Sequence, residues 1–189
     1  MSEARRFTEA TVREPLRALL ASRTRTTSPL GLGKASAVLV PLFELDGEVH
    51  TWLVRRAQGL RDHSGQVAFP GGKRDEGDDS LLTTALREAE EEIALARGEV
   101  DVLGALDDTF TITGYAITPY VAWVRPDCPL APNPSEVARV FAAPLRAFLG
   151  EPQGTFPRMG WRIDGEFVWG ATAAITKGLV AIARELREP

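Results

Sequence analysis

The residues with the clearest chemical potential lie in the run Arg87-Glu88-Ala89-Glu90-Glu91-Glu92. On a helix, positions three and four apart share a face, so Glu88, Glu91 and Glu92 are expected to point together, with Arg87 reaching Glu91. Three carboxylates on one face repel one another, and a hard divalent cation with oxygen ligands offsets that repulsion. Mg²⁺ or Mn²⁺ suits the set better than zinc, because neither Cys nor His accompanies the acids. The plain alternative is a solvated acidic face. The preceding loop argues against it: Phe69-Pro70-Gly71-Gly72 brings backbone close to the helix, and Asp75, Glu76, Asp78 and Asp79 add acids that a surface helix does not need.

The elements that must position these residues can be read from periodicity. Residues 80–95 form a helix capped by Ser80, with Leu82, Ala85, Leu86, Ala89 and Ile93 on its apolar side. An N-terminal helix over about 8–22 carries Val12, Leu16, Leu19 and Leu20, with Pro15 awkwardly inside it. The valine- and leucine-rich run 37–45 reads as a buried strand. Asp46-Gly47 turns it into a partner strand over 49–56. Residues 57–79 form a long loop with a short apolar interruption at Val67-Ala68-Phe69. Further strands are expected at 100–106, 117–124 and 137–142, with a short helix at 144–149. A second hairpin turns at Asp164-Gly165, and a C-terminal helix over about 171–188 closes the chain. Strands and helices that do not alternate regularly argue for an α+β domain, a mixed β-sheet flanked by helices in an α/β/α sandwich.

Composition sets bounds on this reading. The 189 residues and 44% hydrophobic content suit a single domain with one sizeable core. A formal charge of -4 disfavours a nucleic-acid polymer as partner, since such binding needs a basic surface. A phosphorylated metabolite remains compatible if cations bridge it to the acids. The only cysteine, Cys128, cannot form an internal disulfide, and the two histidines, His50 and His63, are too isolated for a zinc site. No apolar run approaches the ~20 residues of a membrane helix, and no signal-peptide core is seen, so a cytoplasmic protein is expected.

The stretch from Gly72 to Leu95 resembles the Nudix box, G-x5-E-x7-REUxEExGU, with Arg87, Glu88, Ala89, Glu91, Glu92 and Leu95 in the expected places. Ala94 stands where the pattern has glycine. Gly72 is one residue too far from Arg87, and Asp79 occupies the place eight residues before the arginine. Upstream, Arg56-Ala57, Arg61, Gly65 and Phe69-Pro70-Gly71-Gly72 follow the spacing R-[SA]-x3-R-x3-G-x3-FPGG, which resembles the signature of the coenzyme A pyrophosphatase branch. Trp52, Leu53 and Val54 stand where that signature begins LLT, so only Leu53 matches there. Asn133-Pro134-Ser135-Glu136-Val137 and Trp169-Gly170-Ala171-Thr172-Ala173 add to the similarity.

The resemblance implies a metal-dependent pyrophosphohydrolase. Glu88, Glu91, Glu92 and Gly72 would hold Mg²⁺ or Mn²⁺, with Arg87 orienting one carboxylate. Glu88 or Glu136 would stand near the attacking water. Arg56, Arg61, Gly71, Gly72 and Phe69 would lie along the substrate, although Phe69 packing beneath the loop is the simpler reading. For coenzyme A the products would be 3′,5′-ADP and 4′-phosphopantetheine. Other substrates such as ADP-ribose or a dinucleotide remain open. So does a non-catalytic module that binds a metal or a partner, and so does the choice between monomer and homodimer.

Overall fold

The computed structural model describes residues 7–28, 33–59, 64–111, 113–155 and 157–186. Its centre is strand β1, Lys34–Leu45, which turns through Asp46-Gly47 into β2, Glu48–Arg56. Both turn residues have positive φ, 52° and 71°, the mirror-image geometry that matches strand twist. The pairing runs from Leu45↔Glu48 to Leu42↔Thr51 and then stops where β2 diverges from β1, while its other edge pairs along its length with β8, Val137–Pro144. Between the diverging strands lie β3, Val67–Ala68, on β2 and β4, Gly71–Lys73, on the first half of β1. The expected long loop thus contains two short strands that fill a wedge in the sheet.

Helix α1, Glu9–Ser22, starts the described fold and α2, Leu81–Ile93, follows the wedge. Strand β5, Asp101–Ala105, then β6, Thr109–Phe110, and β7, Tyr115–Trp123, complete the main sheet. The β1–β7 pair is parallel and the other pairs are antiparallel, so the sheet is mixed. A second sheet of three strands, β9 at Gln153–Thr155, β10 at Arg158–Ile163 and β11 at Glu166–Trp169, leads into α3, Gly170–Glu185. Two-residue β6 and three-residue β9 are too short for a period-2 signal, and neither was expected from sequence. The last residues of the expected C-terminal helix lie outside the described residues.

Alternation along β1 divides the interior. Ala37, Leu39 and Phe43 face Ala85, Ala89 and Ile93 of α2, while Val38, Val40 and Leu42 face Val12 and Leu16 of α1 and Leu179 of α3. Helix α1 runs through Pro15, which is exposed, so its missing N–H is lost on the solvent side. On α2 the buried stripe is Thr84, Ala85, Ala89, Glu92 and Ile93, and Leu82 and Leu86 are only half-buried. The face thus includes a fully buried glutamate, while Leu86 packs at the margin of the core. Among the described residues no helix is long and apolar enough to cross a membrane.

Candidate active site

The acids of α2 separate more than their spacing suggested. Successive helical residues are rotated by about 100°, so Glu91 and Glu92 flank Glu88 on either side. Glu92 turns inward, 1% exposed, where one carboxylate oxygen accepts from Arg56 Nη1 at 3.0 Å and the other from the Gly71 N–H at 3.1 Å. Glu88 is 15% exposed and lies 3.1 Å from Arg87 Nη1. Glu91 is 54% exposed and accepts from the same nitrogen at 2.9 Å.

The wedge explains how backbone reaches these acids. A Cβ on Gly71 would lie 2.4 Å from the Ala37 carbonyl oxygen, and one on Gly72 would lie 2.4 Å from Glu88 Oε1. Only glycines allow both approaches, to β1 on one side and to α2 on the other. The Gly72 carbonyl accepts from the Ser36 hydroxyl at 2.6 Å. Phe69 is 2% exposed in the core, so its ring is unavailable for stacking on a substrate base. Arg61 lies outside the described residues.

Glu136 is brought in by the segment after β7. The Ala131 N–H donates to Ile93 O at 2.9 Å and the Asn133 N–H to Glu92 O at 2.8 Å, satisfying carbonyls at the end of α2 that have no partner within the helix. The Ala57 N–H in turn donates to Glu136 O at 2.8 Å, joining that segment to the end of β2. The Asn133-Pro134-Ser135-Glu136 stretch therefore couples α2 to Arg56 and adds a fourth acid to the group.

Electrostatics follow from this crowding. Burial pushes the Glu92 carboxyl up to about 7; Arg56 and the Gly71 N–H oppose the rise, while Glu88 and Glu136 add to it. Burial also raises Glu88, against the pull of Arg87 and with help from Glu91 and Glu136. Arg87 itself is fixed by Asp78, which sequence reading did not single out. Asp78 is 4% exposed and takes Arg87 Nε at 3.1 Å and Nη2 at 3.0 Å. It also accepts from the Thr84 hydroxyl at 2.8 Å and the Asp75 N–H at 3.0 Å. Arg87 above all, against burial, holds this carboxyl far below the usual range. Asp79, the residue at the motif spacing, is exposed. The extra loop residue moves the pairing acid to nine places before the arginine, and that added residue was the signal available in sequence.

The residues fit a hard divalent cation. Every side-chain donor is a carboxylate oxygen, and Glu92 and Glu88, four residues apart on α2, are both withdrawn from solvent, 1% and 15% exposed. Among the described residues no three such side chains already close around one point, because Arg87 takes Glu88 and Glu91 and Arg56 takes Glu92. The arginines supply the positive charge in this arrangement.

Comparison with known proteins agrees with this geometry. The NUDIX domain family model matches residues 33–162. A protein described as an uncharacterized Nudix hydrolase NudL, from Yersinia pestis (strain Pestoides F), is 41% identical over 157 residues, covering 77% of this chain and 78% of its own. The same-named protein of Yersinia pseudotuberculosis serotype O:1b (strain IP 31758) gives the same figures. Among solved structures, the Nudix hydrolase RenU from M. smegmatis superposes with a TM-score of 0.58 at 19% identity, covering 80% of this chain and 86% of its own. The NUDIX domain of Shewanella oneidensis NrtR, solved with ADP ribose, gives 0.53 at 19% identity, covering 89% and 92%. At that identity the structures show the fold alone. The chain belongs to the Nudix hydrolase family.

Proposed function

We propose that the protein hydrolyses the pyrophosphate bond of coenzyme A and its derivatives, releasing 3′,5′-ADP and 4′-phosphopantetheine. The observation that carries the reading is the upstream signature: Arg56-Ala57, Arg61, Gly65 and Phe69-Pro70-Gly71-Gly72 run into the wedge where Arg56 and Gly71 both touch Glu92. In this reading Glu88, Glu91 and Glu92, with the Gly72 backbone, hold Mg²⁺ or Mn²⁺. When bound, the cation neutralises phosphoryl oxygens and acidifies water for attack at phosphorus. Asp78 keeps Arg87 in place, and Arg87 orients Glu91. Arg56 positions Glu92 and retains a buried Nε without a hydrogen-bond partner among the described residues, a donor that a phosphoryl oxygen would satisfy. Glu136 and Glu88 are the groups available to accept the proton of the attacking water.

A second reading has one specific observation in its favour, the ADP ribose in the NrtR NUDIX domain. The test is product analysis after incubation with Mg²⁺ or Mn²⁺ and coenzyme A, ADP-ribose, a dinucleotide or an oxidised nucleoside triphosphate, with Glu92→Gln alongside. Preferential release of 3′,5′-ADP and 4′-phosphopantetheine, lost by orders of magnitude in the variant, is expected. Turnover of ADP-ribose without coenzyme A cleavage would remove the substrate assignment and keep the chemistry. Inactivity toward the whole panel would favour a non-catalytic binding module.

A further inference from the structure

One step along β4 from Gly72 the chain presents a different chemistry on the opposite face of the sheet. Lys73 pairs with Ser36 of β1, and two residues earlier on β1 Lys34 pairs with Tyr115 of β7. Ser36 is small, and its hydroxyl is turned to the Gly72 carbonyl at 2.6 Å, so a long side chain from β4 can reach across β1. Lys73 Nζ stands 5.4 Å from the Tyr115 ring centroid, and Lys34 Nζ stands 5.8 Å from the same centroid. The ring attracts each ammonium, but two of them at one ring repel each other. They border an open surface depression of about 530 Å³ lined by Lys34, Ala35, Lys73, Arg74, Asp75 and Glu76. Three cations there face two acids, and Asp75 also lies 3.6 Å from Arg87.

We infer that Lys34 and Lys73, held at Tyr115, form a subsite for a phosphate monoester that the substrate carries apart from its scissile pyrophosphate. A phosphate dianion complements the two ammonium groups and accepts hydrogen bonds from both. The location suits a second phosphate on the same substrate. Gly72 abuts Glu88, the Lys73 carbonyl accepts from Arg87 Nη2 at 3.2 Å, and among the described strands β4 pairs only with β1. The depression also borders Asp75, 3.6 Å from Arg87, so it adjoins the acids of α2 at the end of β4. The inference rests on the coenzyme A reading for the identity of the group, which is then the 3′-phosphate of the ribose. It makes these residues determinants of specificity, since ADP-ribose and unphosphorylated dinucleotides have nothing to place there.

The test has a kinetic and a binding arm. In the first, kcat/KM is measured for coenzyme A and for dephospho-coenzyme A with the wild type, Lys34→Ala, Lys73→Ala and Lys34→Arg. The ratio of the two values should fall about tenfold in each alanine variant, the effect of losing one charge-assisted contact, and be largely retained in Lys34→Arg. An unchanged ratio in both alanine variants, with both compounds still cleaved, overturns the subsite and leaves the substrate assignment intact. In the second arm, calorimetric titration compares 3′,5′-ADP, 2′,5′-ADP and 5′-ADP. Tighter binding of 3′,5′-ADP that is cancelled in Lys34→Ala upholds the subsite even if neither coenzyme is cleaved, an outcome that removes the proposed function alone. Equal binding of 3′,5′-ADP and 5′-ADP, or preference for 2′,5′-ADP, overturns it.

Discussion

Two adjacent glycines separate what holds the fold from what shapes the site. A methyl on Gly71 would meet backbone, the Ala37 carbonyl at 2.4 Å and the Val38 Cα at 2.6 Å, so relief requires moving β4 off β1. A methyl on Gly72 would meet the tip of a flexible side chain, Glu88 Oε1 at 2.4 Å. Gly71→Ala is therefore expected to lower stability by about 2 kcal/mol or more, in the range of strained core changes. Gly72→Ala should change stability by less than about 1 kcal/mol yet reduce turnover at least about tenfold, because Glu88 must swing away. Urea melts and steady-state kinetics on both variants check this; equal losses of stability would show that Gly72 serves the fold as well. The importance of glycine here was readable from Phe69-Pro70-Gly71-Gly72, but the division of labour was not, since it depends on which neighbour each Cα meets across the wedge. Asp78 and the Arg56–Glu92 pair escaped for the same reason. Charge and spacing mark candidates, while burial and long-range contact choose among them.

Helix α2 ends on Ala94 with φ 56°, a left-handed conformation that supports bonds from its N–H to Ala89 O and Glu90 O. An L-residue with a Cβ is disfavoured there by roughly 1–2 kcal/mol, and glycine is not. Ala94→Gly should thus stabilise the protein by about 1 kcal/mol, a rise in Tm of roughly 3 °C for a chain of this size. A lower Tm would mean that the exposed methyl makes a contact worth more than the strain. The family pattern already marked this position, and both Asp-Gly hairpins and the helical spacing of α1 and α2 were likewise readable, because local turn chemistry and periodicity determine them. What local signals could not supply was the path of residues 64–73. Strands of two and three residues occupy the gap between β1 and β2, and that gap depends on the tertiary divergence of those strands, which no local pattern encodes.

At the scale of the whole molecule, distant segments are tied by carboxylates that stay ionised. Asp101 at the start of β5 takes Arg13 Nη2 at 2.7 Å and Arg17 Nη2 at 2.6 Å, fastening α1 to the sheet edge. Asp108 takes Arg25 Nη1 at 2.7 Å, the Ser28 N–H at 2.6 Å and the Thr118 hydroxyl at 2.7 Å, fastening the segment after α1 to β7. Burial alone would raise both carboxyls, but the hydrogen bonds outweigh it and both are lowered. A carboxyl depressed in the folded state contributes stability that is fully present above its unfolded value, about 3.9, and is lost as pH falls through the lower folded value. Asp101→Asn should therefore be less stable than the wild type at pH 7, and the gap should narrow as pH falls below about 4, where the carboxyl of the unfolded wild type takes up a proton before the folded one does. Urea melts at pH 7 and pH 3 test this. A gap of equal size at both values would mean that the neutral amide fails by its shape and not by its missing charge, and that the ionic tie between α1 and β5 adds nothing to the folded state.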